Sequence, residues 1–422
     1  MATTRWIGQA QAVAQVDTVT IANTWAQNDT ATLTINGKDL VITIGTLVTT
    51  DQVATTIKQA WENETLTDTS ASYTPADGGQ DFAEHSEITA TVAASVVTLT
   101  HDTLGVPFTL TVTEATAGTG TATEATATAA TGPNFWDNID NWDTGAKPTA
   151  ADDVVIDDTS VSILYALTEV LTVPTLTIGS GFTGTIGLPK TNPAGYLEYR
   201  EDYLTISFTT ITIGGDNIGQ IGGNGSSRIK IDVGAVQTAV VVNSTGAGIE
   251  QGLEPVLLLG THADNTIDVL DGSVGVAVFS GETSTFKTTR VEAGFLRFGE
   301  GVTLDGVGST LINESGTVLV FDNNLLTVTN SGGTIFINGS ATITTLTLKS
   351  GTCQYQSTGT ITAATIGGGD GQALFDCGGS FGPRTITTLT VKPGLEINDP
   401  LRTITYTNTP VWDDEVNGWS AL

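Results

Sequence analysis

Positively charged residues are scarce in this sequence. Lys and Arg together number 15 against 45 Asp and Glu, so the formal net charge of the 422 residues is −30 at pH 7. Proteins that bind nucleic acids or anionic membranes neutralise phosphate groups with Lys and Arg, and this composition argues against both classes. The acidic excess predicts a soluble surface of like charges. Hydrophobic residues make up 39% of the chain, which argues against disorder.

Long apolar runs are also missing. No stretch approaches the ~20 apolar residues that a membrane-spanning helix needs. The first residues, MATTRWIGQAQAVAQ, lack the basic start and apolar core of a secretory signal. These two absences predict synthesis in a cytoplasm, with release by lysis or by a non-classical route.

Cysteine and histidine are also rare, with two and three copies respectively. Cys353 and Cys377 are separated by about one predicted solenoid turn. They are either two small buried residues on adjacent coils or a disulfide between coils, and a reducing site of synthesis favours the first alternative. His85, His101 and His262 lie in three different segments, so the sequence predicts neither a histidine metal site nor a catalytic triad.

What the chain does contain is a repeat near its C-terminus. The segments Ala341–Gly351, Gly359–Gly369 and Arg384–Gly394 each alternate apolar residues with threonine and end at a glycine. Alternation with a period of two indicates a strand with one buried face. No amphipathic helix lies between the copies, which argues against a leucine-rich horseshoe.

Equivalent positions set the period of this repeat. Leu348, Ile366 and Val391 occupy matching places, and Val328 and Leu304 fit earlier copies. A period near 20 with irregular loops is typical of a solenoid. The sequence therefore predicts a mainly β fold, a right-handed parallel β-helix over residues 133–406. At ~22 residues and ~4.8 Å per coil it would have roughly a dozen coils and be near 55 Å long. Its predicted inward positions include Leu304, Val328, Leu346, Leu348, Ile366, Leu389 and Val391.

Residues 1–114 are predicted to form a separate, small α+β module that precedes the solenoid. Two strands join at Asn36-Gly37, which is a strong hairpin signal. Thr49 or Thr50 can cap a helix that begins at Asp51, and this helix carries one apolar stripe of Val53, Ile57 and Trp61. Further strands are predicted over residues 16–22, 87–93, 96–101 and 108–113.

The module resembles a known type of phage module. The segments TATLTINGKDLVITIG, VATTIKQAW and EITATVAASVVTLTHDTLGVPFTLTV are similar to a β-β-α-β-β-β unit found in structural proteins of tailed phages and prophages. This resemblance implies a role in attachment and assembly. Residues 115–132 are Ala, Thr and Gly with one exception, and they are predicted to be a linker or an extended edge strand.

Both ends of the predicted solenoid carry tryptophan pairs. Residues 134–157, NFWDNIDNWDTGAKPTAADDVVID, resemble the opening segment of surface and adhesin-type β-helices. Trp136 and Trp142 would cover the open end of the first coil, which otherwise exposes apolar core. Residues 407–422 contain a second pair, Trp412 and Trp419, predicted to form the other cap or a subunit contact.

Candidate chemistry is limited to acidic clusters and glycine-rich turns. One acidic cluster consists of Asp152, Asp153, Asp157 and Asp158. The other consists of Asp264, Asp268 and Asp271, with Arg290 about one coil away. Solvated carboxylates in turns explain both clusters. Glycine runs at Ile221 and Gly367 lack the helix and lysine of a phosphate loop. Asp370 and Asp376 could bind Ca²⁺ weakly, without a calcium motif. We therefore predict no catalytic, cofactor or metal residues, and no enzyme.

These features together predict a structural protein on the exterior of a phage-like virion. It would be a capsid decoration, spike or fibre that is made in the host cytoplasm and attached through the N-terminal module. Its partners would be other virion proteins and copies of itself, most simply in a homotrimer, with a host-surface glycan as a further partner. The alternatives are an extracellular β-helix adhesin and a tailspike enzyme that acts on host polysaccharide.

Overall fold

The computed structural model describes residues 2–75, 83–188, 203–215, 228–246, 254–379 and 382–413. In these ranges the chain is mainly β-structure and forms two bodies with separate hydrophobic cores. One body is a small α+β module, and the other is a long stack of parallel strands, named the solenoid below. Among the described residues, no helix is long and apolar enough to cross a membrane.

The chain opens with strand β1 (Ala2–Arg5) of the solenoid and then enters the module. In chain order the module consists of β2 (Val16–Ala22), β3 (Thr30–Ile35), β4 (Lys38–Thr43), α1 (Thr50–Trp61), β5 (Ser72–Thr74), α2 (Ala83–Ser86), β6 (Ile88–Ala93), β7 (Val96–His101), β8 (Leu110–Ala115) and β9 (Thr121–Thr128). Its strands form two antiparallel sheets, with the orders β6-β7-β2-β9 and β5-β4-β3-β8.

Local sequence signals explain the module's hairpin and its longer helix. Asn36 and Gly37 both have positive φ, 53° and 78°, as a two-residue hairpin turn requires. The Thr49 hydroxyl accepts a hydrogen bond from the Gln52 amide and caps helix α1. The predicted apolar stripe is buried in the module core and consists of Val53, Ile57 and Trp61. The hairpin and helix predictions are confirmed.

The Ala/Thr-rich segment is not a linker throughout. Its central part forms strand β9, which pairs antiparallel with β2, so the linker prediction is wrong for Thr121–Thr128 and the edge-strand alternative is correct. Most β9 side chains are exposed, as expected at the edge of a sheet. Backbone pairing with β2 holds the segment in place, and small side chains suffice on its solvent side.

The solenoid continues from residue 152 to residue 412. Its first half contains β10 (Asp152–Ile156), β11 (Thr168–Ile178), β12 (Leu204–Gly214), β13 (Ile229–Asp232), β14 (Ala239–Ser244), β15 (Val256–Leu259), β16 (Thr266–Val269), β17 (Ser273–Val276), β18 (Ser284–Thr285), β19 (Thr288–Val291), β20 (Phe295–Phe298) and β21 (Val302–Thr303). The second half contains β22 (Thr310–Asn313), β23 (Thr317–Phe321), β24 (Leu325–Asn330), β25 (Thr334–Asn338), β26 (Ile343–Leu348), β27 (Gly351–Tyr355), β28 (Thr360–Ile366), β29 (Ala373–Asp376), β30 (Arg384–Val391), β31 (Leu395–Asn398), β32 (Ile404–Tyr406) and β33 (Val411–Trp412).

Strand pairing in the solenoid joins neighbouring coils. Strands β14, β16, β19, β22, β24, β26, β28 and β30 form one continuous parallel ladder, the first face. Strands β13, β15, β17, β20, β23, β25, β27, β29 and β31 form a second one, the second face. A shorter third side contains the β18–β21 pair. The predicted parallel, solenoid-like arrangement is confirmed.

The module is inserted into the solenoid and does not precede it. Strand β1 pairs in parallel with β10, so the prediction of a separate module over residues 1–114 is wrong for Ala2–Arg5. The chain leaves and re-enters the solenoid at one place, where Val13 forms an antiparallel bridge with Thr131. The Val13 amide donates to the Thr131 carbonyl at 2.8 Å.

The predicted C-terminal repeat has the expected register. Leu348 lies opposite Ile366, and Ile366 lies opposite Val391. The predicted inward positions are buried in the solenoid core apart from the last, which is half-buried; they are Leu304, Val328, Leu346, Leu348, Ile366, Leu389 and Val391. At roughly 25 cal/mol per Å² of buried apolar area, this continuous core is the main stabilising contribution.

The register predicted for the two earlier copies is wrong. Val328 lies opposite Leu346, two residues from the predicted partner, and Leu304 bridges in parallel to Leu325 of β24. The cause is Asn330, which points into the core and occupies the position where an apolar residue was expected. A prediction based on alternating apolar residues does not assign a buried polar amide such as Asn330 to an inward position.

Two buried asparagines are hydrogen-bonded inside adjacent coils. The Nδ2 of Asn313 donates to Asn330 Oδ1 at 2.8 Å and to the Gly332 carbonyl at 3.1 Å. The Nδ2 of Asn330 donates to the Ser350 carbonyl at 3.2 Å. Each side chain thus pairs with turn carbonyls, and leaving one such group unpaired would cost about 1–3 kcal/mol.

Candidate functional site

Three tryptophans close the N-terminal end of the solenoid. The Trp142 ring lies edge-on to Trp6 and Trp136, with centroid distances of 5.2 and 4.8 Å. Trp142 Nε1 donates to the Trp136 carbonyl at 2.9 Å, and Trp6 Nε1 donates to the Val161 carbonyl at 3.0 Å. All three rings are about 1% exposed. The predicted tryptophan pair is therefore part of a cluster that also contains Trp6, which the sequence reasoning missed.

The side chain of Asn141 forms hydrogen bonds with both chain segments that connect the module to the solenoid. Its Oδ1 accepts from the Ala10 amide at 2.9 Å. Its Nδ2 donates to the carbonyls of Gly132 and Phe135 at 2.9 and 2.8 Å. The side chain is fully buried. The segments before and after the module are thus fastened to the tryptophan-capped end.

A pocket of about 520 Å³ lies beside this junction. Its described walls come from Pro107 of the module and from solenoid residues such as Phe135, Tyr165 and Leu188. Asp137 and Tyr165 are the ionisable side chains in the described lining. The described walls are mainly apolar and carry a single carboxyl group.

The first predicted acidic cluster is built into turns. Asp153 accepts a hydrogen bond from the Thr175 hydroxyl of the next strand at 2.6 Å. Asp152 and Asp157 accept backbone amide hydrogen bonds at 2.8 and 2.7 Å. The Asp158 amide donates to Asp157. The carboxylates of Asp152, Asp153 and Asp157 thus accept hydrogen bonds from donors within and between neighbouring turns.

Arg290 joins carboxylates of three strands or turns on the first face. It lies opposite Asp268 in the ladder, at 3.4 Å from its carboxylate. Its Nε lies 3.0 Å from Glu314 Oε1, and it also pairs with Glu292. The Glu314 hydrogen bond and the neighbouring charges raise the pKa of Arg290. This network is open to solvent, where ion pairs contribute little to stability.

The other members of the second acidic cluster are also in local contacts. Asp264 pairs with Lys287 at 2.6 Å, and the hydrogen bond and charge of Lys287 lower the pKa of Asp264. Asp271 accepts from the amide of Gly272 at 2.7 Å. The structure thus brings Asp268 and Arg290 together, but it does not form one site from the whole cluster.

The three histidines lie in three different local environments. The His85 ring packs against Trp61 in the module, with centroids 4.9 Å apart. His101 Nε2 lies 3.9 Å from the Glu87 carboxylate. His262 belongs to a turn of the solenoid, where its Nδ1 accepts a backbone amide. Their positions offer no shared metal or triad geometry.

Both cysteines are buried free thiols. Cys353 lies opposite Phe375 in the second face, and Cys377 follows two residues later on the adjacent coil. Burial raises the pKa of both thiols, that of Cys377 to about 11. The sequence left two alternatives open, and the structure shows the first, in which two small buried residues lie on adjacent coils. Thiols with raised pKa values are poor nucleophiles and metal ligands.

The remaining candidates are turn residues. Asp376 Oδ1 accepts from Asn398 Nδ2 at 2.8 Å, and Asp370 is exposed in a turn. Gly367 has a φ of +97°, which explains its glycine, while the run around Ile221 lies outside the described residues. In the described ranges, no group of three or more His, Cys, Asp or Glu residues could hold a metal ion.

A buried ion pair that the sequence reasoning missed lies beside a second pocket. Arg297 Nε of β20 lies 2.9 Å from Glu254 Oε1, whose side chain is fully buried. The carboxylate occupies the space above Gly275, where an added Cβ would lie 2.4 Å from Glu254 Oε2. Burial raises the pKa of Glu254, while the charges of Arg297 and Arg228 oppose this. No local pattern links residues so far apart in sequence.

The C-terminal end of the solenoid differs from the N-terminal end. Trp412 is 64% exposed and Val411 57% exposed, so the predicted role of Trp412 in a closed cap is not what the chain shows. Leu401 and Tyr406 are exposed beside them. Trp419 lies outside the described residues. This end thus presents apolar side chains to solvent.

No protein-family model, no curated protein and no solved structure matches this chain.

Proposed function

We propose that the chain is a non-enzymatic structural protein on the exterior of a phage-like virion. In this proposal the solenoid is a right-handed parallel β-helix that serves as a capsid decoration, spike or fibre. The inserted α+β module attaches it to other virion proteins, after synthesis in the host cytoplasm.

The observation that carries this proposal is the way the module joins the solenoid. Its two connections meet at the Val13–Thr131 bridge, and Asn141 fastens both to the capped end. A body held by two adjacent connections can dock on a partner without breaking the coil stack, since each coil contacts mainly its neighbours. A rod with its docking body at one end is suited to projecting from a surface.

We propose further that copies of the chain associate, most simply as a homotrimer. Trp136 and Trp142 are buried within one chain and are therefore not interface residues. The exposed C-terminal residues Trp412 and Val411 are better candidates, because aromatic residues are favoured at interfaces. Three copies, each with a formal charge of −30, must offset their repulsion by such apolar contact.

Excision of the module tests the attachment role. Val16 and Thr128 are paired across adjacent strands, where Cα atoms lie about 4.5–5.5 Å apart, so a short Gly-Ser linker can replace residues 16–128. This variant keeps β1 and Trp6, and we expect it to fold. It should be lost from phage-like particles purified from lysed source cells, whereas the full chain should co-purify with them.

Two results would contradict the proposal. One is incorporation of the excised variant into particles at the stoichiometry of the full chain, measured by quantitative mass spectrometry. The other is the absence of the full chain from such particles. A variant lacking residues 1–132 is the wrong reagent for this test, because it also removes β1 and Trp6 from the solenoid core.

A further inference from the structure

The pocket beside Arg297 has a volume of about 360 Å³ and lies on the second face of the solenoid. Its walls are apolar and aromatic on some sides and glycine-rich on others. This size is at the lower end of the range for small-molecule sites, about 300–1,000 Å³. Its described lining consists of Val278, Phe279, Ser280, Gly281, Arg297, Phe298, Gly299, Glu300, Gly301 and Phe321.

Arg297 is the one cation in this described lining. Its Nε forms the ion pair with Glu254 at 2.9 Å, and the Arg297 side chain is 21% exposed. No hydrogen bond from its Nη groups to the described residues is found. A guanidinium fixed through Nε can present its remaining N–H groups to a ligand in a planar fork, which matches a carboxylate.

Burial makes this arrangement more than a surface arginine. The Glu254 carboxylate is fully buried, and neither oxygen accepts a well-directed hydrogen bond. Gly275 leaves the room that this carboxylate occupies. A buried carboxylate is costly to desolvate even when arginines lie nearby, which favours a role for Arg297 beyond packing. The Lys230 ammonium, 5.3 Å from the Phe279 ring centre, adds positive potential nearby.

The remaining lining limits the ligand to one negative charge. Glu300 is exposed at the rim, and the whole chain carries −30, so a dianion or polyanion would be repelled. Phe279 and Phe321 offer ring surfaces, while Ser280, Glu300 and the glycine backbone offer hydrogen-bonding groups. This mixture fits a six-membered ring that carries a single carboxylate.

We propose that this pocket binds a ring-borne monocarboxylate, with Arg297 pairing with the carboxylate and the phenylalanines contacting the ring. The mixed polarity of the walls favours a hexuronate sugar over an aromatic acid. The site is on the solenoid and uses no residue of the attachment module. Binding at this site can therefore be tested separately from the proposed role in a particle.

Calorimetric titration of the full chain with sodium glucuronate tests this site. From the usual affinity per ligand atom of drug-sized ligands, the dissociation constant should be about 1 mM. Glucose, which lacks the carboxylate, should bind at least tenfold more weakly. Benzoate is the second probe, and stronger binding of benzoate than of glucuronate would identify an aromatic acid as the source of the carboxylate.

Variants separate a ligand site from a structural ion pair. R297Q should weaken glucuronate binding roughly ten- to a hundredfold, as loss of a charged hydrogen-bond pair implies. R290Q is the matched control, because it removes the same charge from a solvent-open network on the first face, and it should bind as the wild type does. Each variant is checked by its melting temperature.

Two further variants keep the proposal testable if R297Q does not fold. The double change E254Q/R297Q removes both charges of the ion pair together. S280W places a large ring at an exposed lining position and leaves the ion pair intact. Both should lose binding. The proposal would be overturned if neither glucuronate nor benzoate binds. It would also be overturned if these folded variants bind glucuronate as the wild type does.

Discussion

Replacement of Trp6 by alanine should loosen the N-terminal end of the solenoid. Trp6 is about 1% exposed, and burial of this kind predicts a loss of about 3–5 kcal/mol on truncation to alanine. The Val161 carbonyl also loses the indole donor at 3.0 Å, which adds about 1 kcal/mol. Since folded domains are stable by only about 5–15 kcal/mol, this is a large local change.

The loss should be confined to the first coils, because solenoid coils exchange stability mainly with their neighbours. Hydrogen–deuterium exchange should rise in β1 and β10 and remain unchanged in β26 and β28. Trp412→Ala is the matched control, since Trp412 is 64% exposed and its removal should change the stability of the monomer by at most about 0.5 kcal/mol. Equal urea midpoints for the two variants, with unchanged exchange in β10, would refute the capping role of Trp6.

Three further predictions follow from the same structure. Leu348→Asp places an unpaired charge in the core and should cost several kcal/mol, whereas Thr347→Asp on the outward side should change the melting temperature little; equal melting would show that Leu348 is not a core position. Burial opposes ionisation of Asp399, but hydrogen bonds from Thr403 and from the Ile404 amide lower its pKa. Its stabilising effect should be complete above the ordinary pKa of about 3.9 and disappear as the pH falls through the lowered value. At pH 7 the melting temperature of Asp399→Asn should therefore be lower than that of the wild type, and in stronger acid the two should be equal. A difference in melting temperature that does not depend on pH would contradict this. The proposed trimer should be favoured by higher salt, which screens repulsion, so light scattering that shows a monomer at every salt and protein concentration would remove the self-association proposal.

Local patterns in the sequence determined the strands of the repeat and the main elements of the module. Leu348, Ile366 and Val391 could be aligned because alternation and glycine turns are read within a few residues. The capped helix α1 and the Asn36-Gly37 hairpin follow from equally local chemistry. Such features need no knowledge of what the segment contacts.

Tertiary structure alone decided the features that depend on distant partners. Strand β1 has no apolar alternation of its own, and it becomes a solenoid strand only because β10 lies beside it. Asn330 could point inward because a neighbouring asparagine and turn carbonyls pair with its amide. Glu254 and Arg297 meet because stacked coils bring residues of different turns into contact. In each case the free energy comes from contacts between segments far apart in the chain, which a window along the sequence does not contain.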